Sequence, residues 1–138
     1  MEEKQLPVLE RIASGVMADK DEHPHVFSHS DRFLIIDLKM RKEIVGREYR
    51  PNPYGKICRE KYAMPTFIGE KISAEEWEIY QKIGEILKDC KYVTGKNFGS
   101  YTIKGLQEAG TDYLMTDFQP YEWIDSLIDA RYLAGYRD

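Results

Sequence analysis

From Arg32 to Tyr49 the chain reads RFLIIDLKMRKEIVGREY: two runs rich in Phe, Ile, Leu and Val, parted by the charged triplet Met40-Arg41-Lys42. Runs of this length and composition read as strands over Arg32–Lys39 and Glu43–Tyr49, and so short a separation forces them into an antiparallel hairpin. A chain containing such a hairpin must build a sheet. The segments on either side of the hairpin decide how that sheet is covered.

The C-terminal half alternates. Ser73 with Glu76 forms a capping-box pattern, and Trp77, Tyr80, Ile83, Gly84 and Leu87 recur at three- and four-residue steps, which predicts a helix. Cys90–Gly95 (CKYVTG) reads as a strand, Ser100–Ala109 as a helix stopped at Gly110, and TDYLMTDF as another strand. Pro120 suits a first helical position, and Ile124, Leu127 and Ile128 give the helix behind it an apolar stripe. Arg11–Met17 supplies a further strand before the hairpin. Arg50–Ile72, with Pro51, Pro53, Gly55, Pro65 and Gly69 and no sustained period, reads as one long connection, ordered only by a partner. The expected fold class is α/β: a single domain over residues 11–134 between tails 1–10 and 135–138. Its mixed five-stranded sheet is antiparallel at the start and parallel afterwards, and about three helices flank it.

With 138 residues, 42% of them hydrophobic, the chain can bury a core without disulfides. Its 24 acidic and 20 basic residues are interspersed, so no basic stripe for nucleic acid appears. No apolar run approaches the roughly 20 residues of a membrane-spanning helix, and the charged start MEEKQLPVLER lacks a secretory apolar region. Those features predict a soluble cytoplasmic protein with Cys58 and Cys90 as reduced thiols.

All three histidines, His23, His25 and His29, fall in DEHPHVFSHSDR, just ahead of the hairpin. Imidazoles beside Asp21, Glu22 and Asp31 are metal-capable donors whose second nitrogen a carboxylate can orient; the alternative is a solvated polar loop. Pro24 holds His23 extended, so His23 and His25 converge only through a turn, and His23 is expected to be a bystander. Cys58 is expected to be exposed, its thiol pKa lowered by Arg59 and Lys61. Cys90 is expected to be a buried small hydrophobe. In TGKNFGS, Gly95, Asn97, Gly99 and Ser100 lead into a helix whose N–H groups would cradle an anion, or else serve the turn geometry alone. Tyr121, Trp123, Tyr132 and Tyr136 read as core, with a homodimer surface as the second reading. Asp37, Asp112 and Asp117 are the carboxylates that a two-metal nuclease would need on one rim.

Three strings, VFSHSDRFLIIDL, REYRPNPY and YVTGKNFGSYTIKGLQEAGTDYLM, resemble the dinitrogenase iron-molybdenum cofactor biosynthesis family of NifX and NafY type, from about residue 11 to 128. In the family's His-Phe-Gly-His/Arg-Ala loop pattern, this chain keeps Phe27 and His29 and has Val26, Ser28 and Ser30 elsewhere, with His25 one residue out of register. The loop after Asn52 lacks the family's His-Gly-rich string and offers Cys58 and Met64 as soft atoms. The resemblance implies a ribonuclease H-like fold and a non-catalytic carrier of an iron-sulfur or iron-molybdenum cluster. The cluster would be held at His29 with His25 and Cys58 assisting, near the Gly95, Asn97, Gly99 and Ser100 turn, and exchanged with cofactor donor and acceptor proteins. The alternatives are an interaction or regulatory module of the same fold without a cofactor, or a metal-dependent enzyme acting on phosphates or nucleic acid.

Overall fold

The computed structural model describes residues 8–133. Five strands, β1 (Leu9–Val16), β2 (Arg32–Lys39), β3 (Glu43–Pro51), β4 (Tyr92–Gly95) and β5 (Asp112–Met115), form one sheet in the order β3-β2-β1-β4-β5. The β1–β2 and β2–β3 pairs are antiparallel, β1–β4 and β4–β5 parallel. The fold is therefore a single-domain mixed α/β sheet, with the hairpin and the strand-helix alternation placed as their patterns predict. Among the described residues four α-helices accompany it: α1 (Gly55–Lys61), α2 (Ala74–Ile86), α3 (Ser100–Glu108) and α4 (Pro120–Leu133).

Two of these boundaries correct the sequence reading. β1 begins at Leu9, inside the segment read as a polar tail, because Leu9 and Glu10 pair with Lys39 and Leu38 of β2. The long connection contains α1, making the helices four where about three are expected. A seven-residue helix between Pro53 and Pro65 is too short to show a period, and burial of Cys58 and Gly55 supplies what intrinsic propensity does not. Residues 1–7 and 134–138, which include the outer part of the expected N-terminal tail and all of the expected C-terminal one, lie outside the described residues.

The alternation of side chains along the inner strands separates two cores. Ala13, Phe33, Ile35 and Val93 face α2 and α3, where Ile79, Tyr80, Ile83, Leu87 and Leu106 close over them. Ile12, Val16, Leu34, Ile36 and Leu38 face Ile124 and Leu127 of α4. The capping box is half formed. Ser73 Oγ accepts from Glu76 N, but the Glu76 carboxylate turns away to take Thr66 N, Thr66 Oγ1 and Tyr80 Oη, tying the 62–72 segment to α2.

The Met40-Arg41 turn bends through positive φ at both residues, 54° and 51°, without the Gly or Asn that usually supplies it. Arg41 is held there by the buried carboxylate of Glu10, which Lys91 also contacts. Burial alone would raise the Glu10 pKa; the two cations outweigh it and hold the carboxyl below its ordinary value.

α2 and α3 approach through glycines. A β-carbon on Gly105 would stand 2.6 Å from the Tyr80 carbonyl oxygen, and one on Gly84 would stand 2.5 Å from that of Gly105. Gly105→Ala gains up to about 1 kcal/mol of helix propensity. The backbone collision outweighs that gain, and a net loss of about 1–3 kcal/mol is expected in urea unfolding.

Candidate functional site

The carboxyl ends of β1, β4 and β5 lie together, and four connections meet there: residues 17–31, 52–54, 96–99 and 116–119. Phe27 seats the first of them. Its ring, fully buried, stacks on Phe33 at 5.5 Å and on Phe98 at 4.7 Å between centroids, and its backbone N–H donates to the Asn97 carbonyl. Asn52 holds the same loop from the β3 side, donating from Nδ2 to the Ser30 carbonyl (2.8 Å) and the Ser28 carbonyl (3.3 Å). Arg59 Nη1, on α1, donates to the His29 carbonyl at 2.7 Å and to Asp31 Oδ1 at 2.8 Å.

On this frame the three histidines take different roles. His23, expected as a bystander, is the buried one: Nδ1 bonds the Gly15 carbonyl at 2.8 Å and its backbone N–H donates to Gln119 Oε1. Its Nε2 is enclosed, with no well-formed hydrogen bond among the described residues, and burial pushes its pKa down against weaker support from the Gly15 and Phe118 backbones. His25 is exposed at the rim. Asn97 Nδ2 donates to the His25 carbonyl at 2.9 Å and lies 3.5 Å from His25 Nδ1. His29 is half-buried, its Nε2 3.4 Å from the Tyr62 carbonyl. Burial lowers its pKa against the Tyr62 carbonyl contact, and nearby positive charge, Arg59 first, adds to the lowering. With Nε2–H of His29 donated to Tyr62, its Nδ1 lone pair is the one left for a ligand.

The remaining expected donors are placed otherwise. Cys58 is fully buried on the core side of α1, and burial raises its pKa to about 11; the exposed, activated thiol is thus corrected. Arg59 follows it in sequence but spends its guanidinium on His29 and Asp31. Cys90 is buried with a pKa pushed to about 12. The turn into α3 serves packing. A β-carbon at Gly95 would meet the Phe27 and Phe98 rings at 3.0 and 3.1 Å, one at Gly99 would meet Pro65 at 2.8 Å, and Ser100 Oγ accepts from Ile68 N. The helix end read as an anion cradle is covered by the chain's own 65–68 segment.

The acidic residues do not converge. Asp37 is paired with Arg11, and Asp112 starts β5 on the same end of the sheet, three strand spacings or about 14 Å away. Asp117 follows β5 at the opposite end. Among the described residues no group of three or more His, Cys, Asp and Glu is placed to hold a metal ion. Tyr121 Oη accepts from Arg47 and Trp123 Nε1 donates to Tyr92 Oη, so both aromatics are engaged within the chain. The side chain of Tyr132 and all of Tyr136 lie outside the described residues.

No family model matches the chain, and no curated protein matches it. Among solved structures, the crystal structure of PH0822 superposes with a TM-score of 0.61 over 87% of this chain and 91% of that one, at 15% sequence identity. The two proteins share a fold.

Burial sets the expected behaviour of both thiols and of His23. Neither Cys58 nor Cys90 should react with a thiol reagent in the native protein, and both should react once it is unfolded in urea. His23 has a folded pKa below its unfolded value of 6.5, so the stability it confers is present above that value. It is lost as pH falls through the folded pKa. A pH series of urea midpoints should therefore decline below about pH 6.5, and the decline should be shallower in His23→Leu.

Proposed function

We propose that this chain is a non-catalytic carrier that receives a metallocofactor, iron-sulfur or iron-molybdenum in type, at His29 with His25 assisting. The observation that supports the reading is the contrast within one loop. Its centre is locked by Phe27, Asn52 and Arg59, while two imidazoles stand at the rim, braced by Tyr62 and Asn97 with ring nitrogens left over. Two donors without a closed cage suit reversible attachment, since a cofactor in transit must leave again and its other ligands come from what delivers or accepts it. Cytoplasmic work alongside donor and acceptor proteins fits this reading. Among the described residues no helix is long and apolar enough to cross a membrane.

A second reading, an interaction module that has the fold without a cofactor, is favoured by the buried Cys58 and by the covered turn into α3. Anaerobic incubation of the pure protein with iron and sulfide, or with extracted cofactor, separates the two. The carrier should acquire a visible chromophore that falls to background in His29→Ala and is weakened in His25→Ala. A folded wild type that stays colourless selects the second reading.

A further inference from the structure

The two edges of the sheet are not alike. β3, at one edge, carries Glu43, Arg47, Glu48 and Arg50, ends at Pro51, and shifts register against β2 between Asp37 and Leu38. Charges, a proline and a bulge are the devices that keep an edge strand from pairing with another chain. β5, at the other edge, has none of them in Tyr113-Leu114-Met115, and Met115 is 54% exposed. Asp112 N donates to the Lys91 carbonyl and Thr116 N to the Gly95 carbonyl, so residues 112, 114 and 116 turn their peptide groups toward β4. Tyr113 and Met115 turn theirs outward. Among the described residues no hydrogen bond reaches those N–H and C=O groups.

We propose that a second copy of this chain pairs with that edge: β5 lies antiparallel to β5 of the partner subunit about a two-fold axis at Leu114, and the two sheets become one. The register follows from the residues. With Leu114 opposite itself, Tyr113 stands opposite Met115 of the partner subunit, and the outward N–H and C=O groups of the two residues satisfy one another. With Tyr113 opposite itself, Met115 would meet Thr111, whose N–H is already given to the Leu106 carbonyl. With Met115 opposite itself, Tyr113 would meet Asp117, beyond the end of the strand. The side chains agree with the first register. Tyr113 packs on the core beneath α2 and α3, against the Phe98 ring, and Met115 shares its face of the sheet. Asp112 comes opposite Thr116, and each has what the other lacks. Asp112 is exposed and makes no ion pair among the described residues, while Thr116 Oγ1 accepts from Phe118 N and keeps its own proton to donate. No like charges are opposed. The edge thus carries, in its own sequence, the complement of every group it presents. The strand is four residues long, so the dimer belongs to the small, reversible class. Antiparallel pairing puts the two rims at opposite ends of the dimer and leaves both open, so the inference does not rest on the reading of the imidazoles.

Sedimentation equilibrium of the full chain up to about 1 mM, with amide hydrogen exchange followed at low and high concentration, tests the pairing. The expected result is a monomer–dimer equilibrium in which exchange at Tyr113 and Met115 slows as the dimer forms. Met115→Pro removes an N–H that the monomer does not use, and Met115→Lys sets a charge opposite Tyr113 from an exposed position. Each should weaken the dimer at least about tenfold. Leu114→Cys should cross-link to its own copy under mild oxidation, the facing β-carbons being about 5 Å apart in this register, whereas Asp112→Cys, opposite Thr116, should not. A dimer indifferent to both Met115 variants, or one that cross-links through Asp112→Cys in preference to Leu114→Cys, overturns the proposal. A chain that stays monomeric throughout also overturns it, and leaves the edge to an extended segment of another protein.

Discussion

The missing β-carbon of Gly15 is the constraint on which the working end of this protein depends. A side chain there would collide with Ser30 Oγ and with the Phe27 ring, and Gly55 similarly makes room for the Ser30 carbonyl. Those two spaces let the 27–30 turn sink onto the end of β1, where Ser30 Oγ returns a 2.6 Å bond to the Phe27 carbonyl. Once Phe27 is inside, its stacking on Phe33 and Phe98 joins the loop to both halves of the sheet, and the segment carrying His25 and His29 is anchored between them.

The opposite end of β1 is organised by charge. Glu10, Arg11, Asp37, Arg41, Asp89 and Lys91 meet there, linking β1, β2, the hairpin turn and the entry to β4. Arg50, and then Arg11, hold the Asp89 carboxyl below the usual range. The exposed members of this network contribute little individually. Glu10 is different: its side chain is fully buried, so loss of Arg41 would leave a carboxylate with Lys91 as its one remaining cation among the described residues. That dependence explains how a turn with two positive-φ residues other than glycine persists, since the pairing of Arg41 holds the strained backbone in place.

The sheet was legible in the sequence because its signals are local. The hairpin announces itself in eighteen consecutive residues, Ser73 caps a helix three residues from Glu76, and Gly110 stops another with φ at 86°. The site was legible only as a loop. Which histidine is buried depends on Gly15 and Gln119, eight and 96 residues from His23, and no spacing within DEHPHVFSHSDR encodes them. Cys58 misled for the same reason. Its basic neighbours in sequence suggested an activated thiol, but on a helix adjacent residues point about 100° apart, so Arg59 reaches His29 while Cys58 faces the core. Asn52, Arg59 and Gln119, which build the rim, carry no motif that would single them out.

These two ends divide the labour of the fold. Ion pairs and a buried carboxylate staple the amino end of β1, whereas the carboxyl end is held by aromatic stacking and backbone hydrogen bonds that consume the loop's interior but not its edge. An imidazole at such an edge keeps a ligand nitrogen only if its other polar atoms are satisfied by neighbours that do not compete for that nitrogen. Tyr62 meets this condition at His29 by offering a carbonyl, which can only accept, and Asn97 meets it at His25 by bonding chiefly to the backbone. The same logic makes His23 unsuitable as a ligand, since its Nδ1 is bonded and its Nε2 is sealed from any approaching group. Ligand capacity at this rim is thus set by which nitrogen each neighbour leaves free, and not by the number of histidines in the loop.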